Sequence, residues 1–220
     1  MPAVRIWDLP TRVFHWLLAA CVLGLFVTGY TGGDAMDWHA RFGWAAGCLL
    51  IFRVAWGFLG GRWSRFASFV PTPGSVLRYL QSRDDRAAIG HNPLGAISVL
   101  AMLAVLLVQV ATGLFSTTLE DFAGPLNVLV SNSTGKAITR YHRNIGQILI
   151  IALVILHIAA IAYYRWRRQL DLVGPMVNGD KQLAADVPAS RDDAWRRVLG
   201  LGVFVACAAL MSWIWTLGSH

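Results

Sequence analysis

Charge is scarce in this chain. Of its 220 residues, Asp, Glu, Lys and Arg make up 14%, against about 25% in an ordinary soluble domain. Cysteine is scarcer still. Cys21, Cys48 and Cys207 each lie inside an apolar run, and none stands in a Cys-x-x-Cys pair or a Cys-x-x-Cys-His motif. That leaves no basis for a covalently attached haem, a structural zinc site or an iron–sulfur cluster, and it marks the three as small buried hydrophobes. No small-x-small cleavage site follows the first apolar stretch, which is longer than the core of a signal peptide. That stretch is therefore expected to be a retained helix. No basic helical face occurs either: the net charge of +7 is spread over short loops between apolar runs, so nucleic acid is not the expected partner.

What the chain has in abundance is apolar sequence, 56% of it. Five segments stand out: Val13 to Tyr30, His39 to Leu59, Pro93 to Phe115, His142 to Tyr164 and Val198 to Leu217. Each is long enough to cross about 30 Å of hydrocarbon at about 1.5 Å per residue. Lipid offers no partner for backbone polar groups, so such runs are helices. The expected fold is an all-α integral membrane protein. Gly32-Gly33-Asp34 breaks the first helical pair, and Asn92-Pro93 reads as a cap followed by proline at the first helical position. Ser116 to Tyr141 is expected to be a polar loop. Arg165 to Arg197 is expected to be a hydrophilic excursion before the last span.

The basic residues sort unevenly across this topology. Fourteen fall on the side of the N-terminus, in Arg5 and Arg12, the loop after Leu59 and the segment after Tyr164. Four, Arg41, Lys136, Arg140 and Arg143, fall on the other. The positive-inside rule then puts the N-terminus in the cytoplasm and, with five spans, the C-terminus outside. Trp7, Trp16, Trp38, Trp44, Trp56, Trp63, Trp166, Trp213 and Trp215 fall near span ends, as interfacial anchors do. No chemistry is expected of them.

The histidines carry more information. His39 and His142 each open a span at the outer face. His15 lies in the first turn of span one, near the inner face. His157 follows His142 by 15 residues, hence about 22 Å deeper and about 60° round the same helix. Four histidines thus form two level pairs, His39 with His142 and His15 with His157. An intramembrane imidazole is costly without a partner, and neutral imidazole suits haem iron. Two axial histidines saturate the iron and favour electron transfer over oxygen binding. Glycines follow at Gly43, Gly47 and Gly146, on the faces of His39 and His142, where they could make room for a flat macrocycle or simply let helices pack. His91 lies just before the third span and is expected outside the bilayer, and His220 is terminal. Arg53, late in span two, is suited to a carboxylate in a dry site or to snorkelling to the interface.

Trp7-Asp8-Leu9-Pro10-Thr11-Arg12-Val13-Phe14-His15-Trp16, His39 at the head of a span, Gly90-His91-Asn92-Pro93-Leu94-Gly95 and two histidines in the fourth span together resemble the prokaryotic cytochrome b561 family and the related hydrogenase b-type cytochrome subunits. The resemblance runs from Arg5 to about Arg168. It implies a four-helix bundle holding two b haems, with His15 and His157 ligating the inner iron, His39 and His142 the outer iron, and Arg53 near a haem propionate. It also implies quinone as a further ligand and electron exchange with a periplasmic redox protein, a c-type cytochrome or a hydrogenase, in a bacterial inner membrane. On this reading residues 1–168 form the di-haem bundle, 169–197 a cytoplasmic hydrophilic segment and 198–220 an added transmembrane helix and tail. A self-sufficient superoxide:quinone oxidoreductase is the competing expectation, since Lys136, Arg140 and Arg143 could attract a small anion.

Overall fold

The structure is a computed structural model that describes residues 2–82, 89–117, 123–183 and 187–218. Arg83, Arg86 and His220 lie outside the described residues. Five helices are long and apolar enough to cross a membrane by length and composition. They are α1 (Leu9–Thr31), α2 (Ala35–Leu59), α5 (Pro93–Phe115), α7 (Gln147–Arg167) and α9 (Ala194–Thr216). Short helices fill the connections: α3 (Phe66–Phe69), α4 (Pro73–Ser82), α6 (Asn132–Arg140) and α8 (Val173–Asn178). A 3-10 turn (Asn127–Leu129), a π-helical turn (Tyr141–Gly146) and two short strands, β1 (Ala3–Arg5) and β2 (Asp180–Gln182), complete the described elements.

The helix starts have local causes. Asp8 caps α1, its Oδ1 accepting the Thr11 amide at 2.9 Å. Asn92 caps α5 by accepting the Gly95 amide at 2.7 Å. Asp193 caps α9 by accepting the Arg196 amide at 3.0 Å. Each satisfies a backbone donor that a helix start leaves free. The α1–α2 turn uses Gly32 and Gly33 at φ +66° and +54°, left-handed conformations that glycine adopts without strain. Ser131 caps α6 at 3.2 Å, and α6 continues through a π-helical turn (Tyr141–Gly146) into α7. The expected polar loop Ser116 to Tyr141 is therefore helical in its second half, and the fourth apolar helix rises from a helical lead-in rather than from His142. The local signals are the Ser131 cap and the amphipathic pattern from Asn132 to Arg140, which hydropathy alone does not register.

The chain divides into two compact units. One comprises Met1–Val13, Arg53–Met102 and Leu153–Leu201. In it β1 and β2 pair antiparallel, Val4 opposite Lys181. Ile6, Trp7 and Leu183 form a small core against Val4, Trp63, Ile89, Met176 and Val187. Arg5 bridges Asp180 and Asp192, while Asp192 accepts the Leu9 amide at 3.1 Å. The hydrophilic excursion is thus folded onto the N-terminal residues of its own unit. Arg196 donates to the terminal α2 carbonyl, Leu59 O, at 2.8 Å, satisfying one of the acceptors that a helix end leaves free.

At the centre of this unit Asp8 is fully buried. Its Oδ1 accepts from Trp56 Nε1 at 3.1 Å, and its Oδ2 from the Gly61 amide at 2.9 Å and Ser64 Oγ at 2.8 Å. Trp56 is likewise fully buried and Trp7 is 7% exposed. Both tryptophans are therefore core residues, Trp56 also a hydrogen-bond donor, and not interfacial anchors. Their nearness to span ends hides this, because the interior of the unit reaches the same level of the chain.

The other unit comprises Phe14–Phe52, Leu103–Ala152 and Gly202–His220. Phe52 packs on Phe14 and Phe204, with ring centroids 6.4 and 6.1 Å apart. A Cβ at Gly47 would lie 2.9 Å from Met211 Cε and 3.3 Å from Val110 Cγ1, so this glycine lets α9 and α5 side chains press against α2. Cys21, Cys48 and Cys207 are free and buried, as expected. In this unit Leu23 and Ile148, and in the first unit Ile155 and Leu201, are more than 60% exposed. So much exposed apolar surface suits a lipid surround.

Candidate functional site

His39, in the second turn of α2, and His142, in the π-helical turn before α7, face each other in one unit. Their ring centroids lie 6.3 Å apart and their planes cross at 79°. His39 Nδ1 lies 3.0 Å from Leu25 O on α1. His142 Nδ1 lies 3.0 Å from Gln109 O on α5. A carbonyl can only accept, so in each ring Nδ1 carries the proton. In the neutral imidazole Nε2 then keeps its lone pair for a metal. Two imidazoles bound to one metal at about 2 Å place their centroids about 6 Å apart, which matches the spacing here. Among the described residues no three His, Cys, Asp or Glu converge as a metal-ligand cluster. A facing pair of this kind suits a metal whose remaining ligands come from a macrocycle.

Gln109 grips His142 twice. Its carbonyl accepts the ring N–H, and its side-chain Nε2 donates to His142 O at 2.9 Å. The second bond engages a main-chain carbonyl in the π-turn, a geometry that often marks functional sites. Of the two expectations for Gly146, room for a macrocycle or helix packing, the second describes it: it faces Gln109, whose amide oxygen a Cβ there would meet. The glycines that touch the rings are Gly29 and Gly113. A Cβ at Gly29 would lie 3.2 Å from His39 Cε1, and one at Gly113 would lie 3.1 Å from His142 Cε1.

The remaining predicted residues are divided. His15 lies in the same unit as His39 and His142, half-buried, its ring edge-on to Trp16 at 5.0 Å. His157, half-buried in α7, belongs to the other unit, as do Arg53 and His91. Arg53 is 3% exposed, with its guanidinium 5.1 Å from the Phe66 ring centre and 5.8 Å from that of Phe69. Its Nη1 is buried and has no hydrogen-bond partner among the described residues. Arg53 thus lies inside the protein, and snorkelling does not describe it. A buried guanidinium with an open donor fits a carboxylate.

His91 is packed rather than exposed, its ring 4.8 Å from both Trp7 and Phe69. Its Nδ1 is also buried without a hydrogen-bond partner among the described residues. Burial pushes its pKa down to about 4, with Arg53, Lys181 and His157 adding to the effect. Lys181 donates to Ile89 O at 3.1 Å, and burial lowers its pKa as well.

The sequence matches the family described as prokaryotic cytochrome b561 over residues 6–179. The chain belongs to the prokaryotic cytochrome b561 family. It is therefore a multi-pass membrane b-type cytochrome, and haem b is its cofactor. Curated relatives of this cytochrome include a "Probable Ni/Fe-hydrogenase B-type cytochrome subunit" of Bradyrhizobium diazoefficiens, 23% identical over 82% of this chain and 87% of the relative. The Escherichia coli K12 "Probable Ni/Fe-hydrogenase 1 B-type cytochrome subunit" is 26% identical over 79% of this chain and 88% of its own length. A further relative of this type, from Azotobacter vinelandii, is 32% identical over 47% of this chain. No solved structure matches the cytochrome.

The donor set fits haem. The facing imidazoles present Nε2, and Arg53 holds an open cationic donor in an apolar surround. Sequence reasoning missed Asp8, Gln109 and the two glycines on the rings. The sequence carried only a weak signal for the last: Thr28-Gly29 and Thr112-Gly113 are the same dipeptide near the ends of two helices, but Thr31-Gly32 and Thr134-Gly135 repeat it away from the rings.

Proposed function

We propose that this cytochrome holds two b haems and passes electrons through the membrane between quinone and a hydrogenase partner. The observation that carries the reading is the His39–His142 pair, with both Nδ1 protons committed to carbonyls and the rings at bis-imidazole spacing. His15 and His157 are the proposed ligands of the second haem. Haem b supplies a reversible one-electron iron couple at each site. With haem bound, the histidines would supply imidazole nitrogens to iron, and Leu25 O and Gln109 O would hold the His39 and His142 rings in one tautomer. Arg53 is the proposed partner of a propionate. A hydrogenase is favoured over a c-type cytochrome because the relatives named above carry that description. Residues 1–168 are read as the haem-binding part, and the inner membrane of a bacterium as the setting, with the N-terminus cytoplasmic.

The test is haem content of purified parent and variants. The parent should give two non-covalent haems per chain by pyridine haemochrome. His142→Ala should lose the haem it shares with His39 and keep the other, and His157→Ala should do the reverse. Either should stop hydrogen-driven quinone reduction in membranes, because two carriers in series fail together. A parent with one haem or none, or a His157→Ala variant with both haems at parental potentials, overturns the pairing.

A further inference from the structure

We infer that Thr28-Gly29 and Thr112-Gly113 are a matched pair of positioning dipeptides, which fix the tautomer and ring position of His39 and His142 and thereby tune the iron between them. The inference rests on the haem reading of that histidine pair.

The two dipeptides occupy equivalent places. α1 and α5 are both 23 residues long, and each threonine stands three residues before the helix end, at Thr31 and Phe115. Thr28 Oγ1 donates to Gly24 O at 2.7 Å and lies 3.3 Å from His39 Nδ1. Thr112 Oγ1 lies 2.9 Å from both Val108 O and Gln109 O, and 3.2 Å from His142 Nδ1. A hydroxyl has a single proton, and in each case it is directed to helix carbonyls. The lone pairs of Oγ1 are therefore what the imidazole meets.

Each Nδ1–H thus points into a fork of two acceptors. One is a main-chain carbonyl three residues before the threonine, Leu25 O or Gln109 O, at 3.0 Å in both cases. The other is the threonine oxygen. The glycine that follows makes the approach possible, because a Cβ at either position would lie 3.1–3.2 Å from the ring. Threonine supplies an acceptor and glycine supplies the space. Accepting the Nδ1 proton raises the basicity of Nε2, which favours the ferric iron. Loss of one acceptor should therefore raise the midpoint potential.

The experiment uses the purified holoprotein with Thr28→Val, Thr112→Val and the double variant, each similar in shape and lacking the hydroxyl that meets Nδ1 and donates to the helix carbonyls. Haem content should stay at the parental value, since the carbonyls remain. The midpoint of the haem lost in His142→Ala should rise. A tenfold weakening of ferric relative to ferrous binding corresponds to about 59 mV. Its ferric low-spin EPR signal should shift, the double variant should shift further, and the other haem should keep its potential. Thr28→Ser and Thr112→Ser should restore parental values. Gly29→Ala and Gly113→Ala should lower retention of that haem, on the scale of about 10–100-fold seen for lost outer-shell support. Valine variants with parental potentials and EPR signals overturn the inference, and so do serine variants shifted as far as the valine ones. His142→Ala retaining both haems overturns the underlying haem reading instead, and the inference with it.

Discussion

Asp8 should be highly sensitive to substitution although it is no ligand. Its carboxylate is fully buried and accepts from the Thr11 amide, Trp56 Nε1, the Gly61 amide and Ser64 Oγ at 2.8–3.1 Å. Asn at this position has one oxygen and one NH2. Whichever way the amide turns, two donors face a donor. Ser64 could turn to accept from the amide, since its oxygen now accepts only from Thr11 Oγ1 at 2.8 Å, but the proton it gives to Asp8 Oδ2 would then lose that acceptor. A buried donor left without a partner costs about 1–3 kcal/mol, and a hydrogen bond to a charged group contributes about 1.5–3 kcal/mol. Asp8→Asn should therefore cost about 3 kcal/mol, which for a chain of this size lowers Tm by about 6–12 °C.

The assay is thermal unfolding in detergent, followed by both helicity and the Soret band. Gly61 provides an internal check. A Cβ there would lie 2.4 Å from Asp8 Oδ2, so Gly61→Ala should destabilise the parent strongly and cost little in an Asp8→Ala background. The two substitutions should thus be non-additive. An Asp8→Asn protein melting with the parent, or an additive double variant, would refute the carboxylate hub.

Two further predictions concern pH and topology. The unfolded His91 imidazole protonates near pH 6.5, whereas the folded ring resists protonation down to about 4. Between those values the unfolded chain binds the extra proton, so stability is retained above about pH 6.5 and falls as pH drops toward 4, by at most about 3 kcal/mol. His91→Phe should flatten that fall between pH 7 and pH 4.5 in thermal unfolding, and an undiminished slope would contradict the assignment. Reporter fusions should place the N-terminus in the cytoplasm and the C-terminus across the membrane, and both ends on one side would exclude five spans.

The spans were legible because hydropathy measures hydrocarbon length. Where each helix begins was less so, because a cap can lie outside the apolar run. The third span is the instructive case: Asn92 abuts it, and expectation and helix coincide at Pro93–Phe115. In the first and fifth, Asp8 and Asp193 sit several residues upstream, and α1 and α9 start at Leu9 and Ala194 rather than at Val13 and Val198. The β1–β2 ribbon left no readable trace. Three-residue strands separated by 175 residues, as Arg5 and Asp180 are, have no local periodicity to detect.

The candidate site was legible only as far as single-helix geometry reaches. Depth along a helix put His39 level with His142, and the rings do face each other. The same geometry directed attention to glycines one turn from each histidine on its own helix. The surroundings of a ring are supplied by the neighbouring helix, and there α1 and α5 repeat one arrangement: an acceptor carbonyl, then threonine and glycine three and four residues on. Each of these helices precedes the helical segment that carries its histidine: α1 leads to α2, and α5 leads through α6 to the π-helical turn. The pair is therefore built from two matching halves, each made of one helix carrying the ligand and a preceding helix fixing its proton. His15, the seventh residue of α1, has Val99 as its counterpart in α5, so the repetition covers one site alone. A substitution at Thr28 should accordingly have its equivalent at Thr112, whereas His15 and His157 should show no such matched partners when varied.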